Sequence, residues 1–200
     1  MGKTLIIAEK PSVAGDLAKA LGGFNRHGDY FESDRYVISS AIGHLLELCV
    51  PEGYEVQRGK WTFAHLPVIP PQFDLRPIEK AEDRLKLLAK LIKRKEVDAL
   101  VNACDAGREG ELIFRYIVQH VGTPKPIKRL WLQSMTPASI REAFATLRED
   151  EEMRPLADAA VCRSEADWLV GINGTRAMTA MSWARQAGNN RSSGDWSKML

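Results

Sequence analysis

Two hundred residues with 44% hydrophobic content suffice for one α/β domain, or one domain and the start of another, and exclude a disordered or fibrous chain. Twenty-eight Lys+Arg against 26 Asp+Glu leave a formal charge of +2, too balanced to demand a nucleic-acid partner and no bar to one. No run approaches the roughly 20 apolar residues of a membrane span, the apolar start is too short for a signal peptide, and Cys49, Cys104 and Cys162, dispersed and without a CxxC pair, fit reduced thiols in a cytoplasm.

Thr4–Ala8 (TLIIA) is a short β-branched apolar run that predicts a strand ending in Glu9-Lys10. Pro11 and Ser12 open a helical pattern to Leu21, with Val13, Leu17 and Leu21 four residues apart and Gly22-Gly23 beyond them as a stop. Tyr30–Phe31 and Tyr36–Ile42 predict the two strands of a hairpin split by Ser33-Asp34. Pro51, Pro67, Pro70, Pro71 and Pro77 then predict a long irregular excursion, a kind of segment more often functional than accidental. Glu79–Lys95 is an amphipathic helix with Leu85, Leu88, Leu91 and Ile92 on one side and Lys86, Lys90, Lys93 and Arg94 on a solvated other. Asp98–Ala103 predicts a strand, Glu109–His120 a helix, Lys128–Leu132 a short strand, and Pro137–Leu147 and Glu152–Trp168 two further helices. This alternation predicts an α/β fold, a parallel sheet with helices on its faces.

Parallel sheets bind ligands beyond the carboxyl ends of their strands. Two predicted strand ends carry acids: Glu9 after TLIIA, and Asp105 in the string Asp105-Ala-Gly-Arg-Glu109-Gly-Glu111. If those strands are neighbours, Glu9 and Asp105 lie within a few ångströms, with Glu109 one helical turn on. Hard oxygen donors clustered this way suit Mg²⁺, which takes one or two carboxylates and keeps its waters for a phosphate. Such a site supports phosphodiester chemistry, with a carboxylate moving the proton. Gly107 and Gly110 would let the backbone approach the ligand, and Arg108 and Lys10 would offer charge to a phosphate. Taken singly, each acid also has an ordinary reading, as a solvated loop residue or a first-turn acid favouring a helix dipole. Cys104 reads as a small core residue at a strand end.

Together the motifs resemble a known family. Ala8-Glu9-Lys10-Pro11-Ser12, Ile42-Gly43-His44-Leu45 and Asp105–Glu111, in that order, resemble the Toprim domain of the bacterial topoisomerase III family, which are type IA topoisomerases. Arg163-Ser-Glu-Ala-Asp-Trp168-Leu-Val-Gly-Ile-Asn-Gly-Thr-Arg176-Ala resembles the opening helices of that family's second conserved region, so the likeness runs over roughly residues 3–180. It implies a Toprim, Rossmann-like parallel sheet flanked by helices over residues 1–148, the helices of an incomplete DNA-groove domain over 149–181, and a divergent tail over 182–200. It also implies an isomerase that cuts one DNA strand, passes another through the gap and reseals it, with Mg²⁺ as cofactor, no small-molecule cofactor, single-stranded segments of DNA as partner, and a cytoplasmic location.

By the same resemblance, Glu9 matches a general acid/base and metal ligand, and Lys10 a contact to the scissile phosphate. Asp105 and Glu109 match the first and last acids of a DxDxE metal motif. The chain departs at Gly107, where the family's middle Asp would stand. Glu111 could compensate only by turning inward, since it lies about 200° around the helix from Glu109 and the two cannot face one point. Glu109 is therefore the expected ligand. Trp61, beside Arg58 and Lys60, stacks on a DNA base or caps the core under its loop. Trp168 and Arg176 carry over as DNA contacts, and His44 either touches the site or is a structural histidine.

The family's covalent step needs a tyrosine in a setting such as Tyr-Pro-Arg-Thr-Asp, and Tyr30, Tyr36, Tyr54 and Tyr116 have no such context. Ser182–Leu200 is polar and without apolar periodicity, which reads as a frameshift or early stop in a longer gene. The expectation is a topoisomerase III fragment, inactive alone, with the helices after Leu147 exposing apolar faces. Two alternatives are a small Mg²⁺-dependent Toprim nuclease, which would nick a supercoiled plasmid, and a stand-alone single-stranded DNA-binding module, which would bind oligonucleotides salt-sensitively without needing Glu9.

Overall fold

The computed structural model describes residues 2–50 and 62–192, with side chains through Gln186. The strands are β1 (Lys3–Ala8), β2 (Asn25–His27), β3 (Tyr30–Glu32), β4 (Tyr36–Ser40), β5 (Leu46–Leu48), β6 (Leu75–Pro77), β7 (Val97–Ala103), β8 (Ile127–Arg129) and β9 (Arg148–Glu149). The helices are α1 (Pro11–Leu21), α2 (Glu82–Ile92), α3 (Arg108–Val121), α4 (Pro137–Ala145) and α5 (Asp150–Ser192).

The main sheet runs β2-β3-β4-β1-β7-β8-β9. Its centre, β4-β1-β7-β8, is parallel, and the hairpin strands β3 and β2 on one edge and β9 on the other are antiparallel. The α/β architecture read from the alternation is the one observed. β1 can occupy the middle because it has no polar face: Leu5, Ile6, Ile7 and Ala8 are all fully buried, as a parallel strand covered on both sides requires. On one face α1 and α4 pack with Ile6, Ala8, Ile38 and Val101 through Leu17, Ala18 and Ile140. The alternate residues Leu5, Ile7 and Leu100 point the other way. The apolar side expected for α2 is the buried one, with Leu85, Leu88, Leu91 and Ile92 all inside.

Local chemistry sets the helix ends. Pro11 opens α1 and Gly22, at φ 71°, closes it; Gly122 adopts the left-handed conformation after α3. Several bounds differ from the sequence reading. The Lys128–Leu132 strand is β8 at Ile127–Arg129, because Leu130 already turns inward toward α1 and α4. β2 went unforeseen: all three of its residues are exposed, so no alternation marks it. The helix expected over Glu152–Trp168 runs from Asp150 to Ser192, and the hydroxyls of Thr175, Thr179 and Ser182 donate to carbonyls four residues back. On it Val170, Met178 and Trp183 are exposed, in keeping with the apolar exposure expected after Leu147.

The chain forms two compact units. The first comprises Met1–Glu47 and Leu75–Cys162 and holds the main sheet. The second takes in the described parts of Leu48–Asp74 and Arg163–Leu200. Within it Asn173 ties down the loop at Val68, accepting from the Val68 amide at 2.6 Å and donating to the Val68 carbonyl at 2.9 Å.

Candidate functional site

β1 and β7 are adjacent and parallel, with Ala8 opposite Ala103, so their carboxyl ends deliver Glu9 and Asp105 to one place. Glu9 is 7% exposed, and its Oε2 accepts the backbone amide of Asp105 at 3.4 Å. Lys10 reaches back over both acids: its Nζ lies 3.3 Å from Glu9 Oε1 and 3.5 Å from Asp105 Oδ2. The hydrogen bond and charge of Glu9, and then those of Asp105, hold the Lys10 ammonium above its ordinary pKa. Lys10 also stands at the N-terminus of α1, a helix with no side-chain cap and no acid in its first turn. The positive end of α1 thus lacks a capping side chain or first-turn acid of its own, which favours an anion there.

The loop after β4 closes a second side. Gly43, at φ 85°, donates its amide to the Glu9 carbonyl at 3.2 Å, and His44 Nε2 meets Glu109 Oε1 in a short contact. Glu109 lies in the first turn of α3 with its side chain 69% exposed. The structure thus brings Glu9, Lys10 and Asp105 into mutual contact and joins Glu109 to His44. Among the described residues no three His, Cys, Asp or Glu side chains already converge as a metal cage. Instead a side-chain ammonium stands within reach of both carboxylates, whose hard oxygen donors are of the kind Mg²⁺ takes while keeping waters for a phosphate.

Gly107, at the N-cap of α3, and Gly110, in its first turn, differ in what surrounds them. A Cβ on Gly107 would meet nothing within 4 Å, and its φ of 163° is extended backbone open to any residue. A Cβ on Gly110 would lie 2.1 Å from the Asp105 carbonyl oxygen, so this glycine serves the close approach of α3 to the Asp105 backbone. Arg108 is exposed at the start of α3. Glu111 does turn inward, but to be neutralised: it is fully buried, with Arg129 Nε at 2.8 Å, Arg115 Nε at 3.3 Å and Asn102 Nδ2 at 3.0 Å. Cys104 is a buried strand-end residue, its thiol pKa pushed up by desolvation.

Arg129 went unnoticed in the sequence, where it is one basic residue in a short strand. Its 1% exposure could not be read from an alternation only three residues long. Trp61, with Arg58 and Lys60, lies outside the described residues. Trp168, in the second unit, donates its indole N–H to the Cys49 carbonyl at 3.0 Å and sets its ring edge-to-face with Phe73. Arg176 sits half-buried on α5 in the same unit. Among the described residues no helix is long and apolar enough to cross a membrane.

Known proteins resemble this chain. The model of the Toprim domain family matches residues 4–135. A DNA topoisomerase 3 of Bacillus subtilis (strain 168) is 45% identical over 179 residues, 90% of this chain and 25% of its own length. A DNA topoisomerase 3 of Staphylococcus haemolyticus (strain JCSC1435) is 45% identical over 177 residues, 88% of this chain and 25% of its own. The chain therefore spans about a quarter of the length of these curated relatives. A solved structure of full-length topoisomerase I from Thermotoga maritima is 24% identical with a TM-score of 0.47, over 72% of this chain and 21% of that one.

Proposed function

The chain belongs to the Toprim domain family, and from that premise we propose that the carboxyl end of its central strands is the metal- and phosphate-holding half of a topoisomerase III site for single-strand DNA cleavage and religation. The observation that carries this is the meeting of Glu9, Lys10 and Asp105 beyond β1 and β7. Two acids and one cation on rigid strand ends can hold a divalent ion and a phosphate together, and the uncapped end of α1 adds a further pull on the phosphate.

Glu9, Asp105 and Glu109 would hold Mg²⁺, which supplies neutralising charge for a phosphodiester. Lys10 contacts the scissile phosphate directly. Glu9 is placed to give or take the proton of the 3′-oxygen at the break, being nearly buried and anchored by the Asp105 amide. His44 orients Glu109 through their contact. In the second unit, Arg176 and the ring area of Trp168 left open by its edge-on packing against Phe73 are the proposed contacts to a single strand. None of Tyr30, Tyr36, Tyr54 and Tyr116 serves as nucleophile, so these 200 residues act on DNA, in the cytoplasm, as one half of a site whose tyrosine lies elsewhere.

The test has two arms. Titration with Mn²⁺, a paramagnetic stand-in for Mg²⁺, should show one site by electron paramagnetic resonance, weakened in Glu9→Gln and in Asp105→Asn. Incubation of a supercoiled plasmid with Mg²⁺ should leave it intact. Absence of the Mn²⁺ site in the unsubstituted chain would sink the proposal, and nicking that disappears in Glu9→Gln would replace it with a hydrolase.

A further inference from the structure

Of the two strand-end acids Asp105 is exposed and Glu9 nearly buried, and what holds the Asp105 loop lies beneath it. Arg129 on β8 is 1% exposed and spends its guanidinium almost wholly on backbone. Nη1 donates to the carbonyls of Asn102 at 3.1 Å, Cys104 at 2.6 Å and Leu130 at 3.0 Å, and Nη2 donates to the Asp105 carbonyl at 2.7 Å. One side chain thus gathers the end of β7, the loop that carries Asp105, and its own strand.

Such a cation needs a buried counter-charge, and Glu111 provides it at 2.8 Å, fully enclosed. Glu111 is fixed in turn by Asn102, whose own Oδ1 accepts the Cys104 amide at 3.0 Å, and by Arg115, which pairs with Asp150 at 2.6 Å. Two cations and two anions close the set with no net charge. The Asp105 backbone is then clamped from three directions: its amide by Glu9, its carbonyl by Arg129, and the same carbonyl by the bare Cα of Gly110.

We infer that Arg129, with Glu111 as its counter-charge, is a positioning residue for Asp105: it presets the loop so that the Asp105 carboxylate stands over Glu9 before any cation or phosphate arrives. Preset geometry matters because a flexible acid would have to be ordered at the moment of binding, at a cost to affinity. The inference rests on reading Asp105 as a cation-holding acid, but the rigidity it predicts is measurable without a cation.

The test replaces charge by charge-neutral shape. Glu111→Gln with Arg129→Met removes one negative and one positive charge together, so the field at Asp105 is nearly unchanged while the backbone clamp is lost. Arg129→Lys keeps the counter-charge for Glu111 but cannot span four carbonyls. Metal-free amide hydrogen exchange should show the Asp105, Ala106 and Gly107 amides exchanging at least about tenfold faster in both variants, with far-ultraviolet circular dichroism and the protection of β1 unchanged. Mn²⁺ affinity should fall by a similar factor without a change in its pH profile. Unchanged exchange at Asp105 in a folded variant overturns the inference, and so does failure of both variants to fold, which would make the pair a requirement of the core. If the unsubstituted chain binds no Mn²⁺, the metal reading fails alone, and the exchange rates still decide the clamp.

Discussion

The backbone amide of Asp105 donates to Glu9 Oε2 over 3.4 Å, so the acid ending one strand holds the loop that carries the acid ending its neighbour. The two carboxylates are therefore one unit mechanically as well as electrostatically. What each contributes is separable by substitution only if the loop survives the change.

Lys10 is the first place to separate them. Its ammonium stands between the two acids and would compete with a divalent ion for both. Lys10→Met should raise Mn²⁺ affinity several-fold in a resonance titration. The same variant should bind a single-stranded oligonucleotide more weakly, with the slope of log K against log salt smaller by about 1, as for loss of one phosphate contact. Equal weakening of metal and oligonucleotide would mean that Lys10 organises the site rather than competing within it.

Gly107 at the N-cap of α3 and Gly110 in its first turn should respond in opposite ways. Gly107 has open space, an extended backbone and the N-cap position of α3, so Gly107→Asp should fold normally and gain a few tenths of a kcal/mol as a better cap. It should also tighten Mn²⁺ binding by adding a second acid to the loop between β7 and α3. Gly110→Ala puts a methyl against the Asp105 carbonyl and should cost about 1–3 kcal/mol in denaturant unfolding. Metal binding should weaken with it.

The opposite end of the sheet contributes to the acid stability. Glu32 on β3 takes both Nη groups of Arg94 at 2.7 and 3.1 Å and Lys3 Nζ at 2.6 Å. The Arg94 guanidinium first, and Lys3 with it, holds the Glu32 carboxyl down at about 2 from an ordinary 4.5. A carboxyl lowered on folding stabilises the fold fully above its unfolded pKa, and that stabilisation is lost as pH falls through the folded one. The chain should therefore lose about 1–2 kcal/mol between pH 4.5 and 2 on account of Glu32, after allowance for solvent screening. Glu32→Gln should be weaker at pH 7 and flatter across that acid range in urea titrations. An unchanged acid limb would assign the loss to other carboxylates.

Trp168 gives a smaller, local test. Trp168→Phe keeps the ring edge against Phe73 but leaves the Cys49 carbonyl without its indole donor. The expected cost is about 0.5–1.5 kcal/mol, read as lowered thermal stability of the second unit. Binding of a single-stranded oligonucleotide should fall only modestly, because a phenyl ring still presents a stacking face.

Much of the fold was legible in order along the chain, because its central elements advertise themselves. TLIIA is apolar on both faces, as only a middle strand can be, and Leu85, Leu88, Leu91 and Ile92 keep a helical stripe. The edges were not legible. β2 exposes every residue and β9 has two, so neither holds a periodic signal. The reach of α5 was equally hidden, since its glycines and hydroxyl residues weaken helix propensity while back-bonding within the helix itself satisfies the hydroxyls.

At the site, the sequence by itself determined the cast. Acids directly after apolar runs end up beyond the carboxyl edge whatever the details, because a strand must end where its apolar run does and a parallel sheet collects those ends on one side. Only the tertiary structure decided which acid faces which partner. Glu109 and Glu111 stand two residues apart in one helix turn, and the helical rotation between them sends one to His44 at the surface and the other to Arg129 in the core. That choice depends on a cation from β8 meeting the inward side, a coincidence of three-dimensional packing that no local pattern around residue 111 or residue 129 encodes.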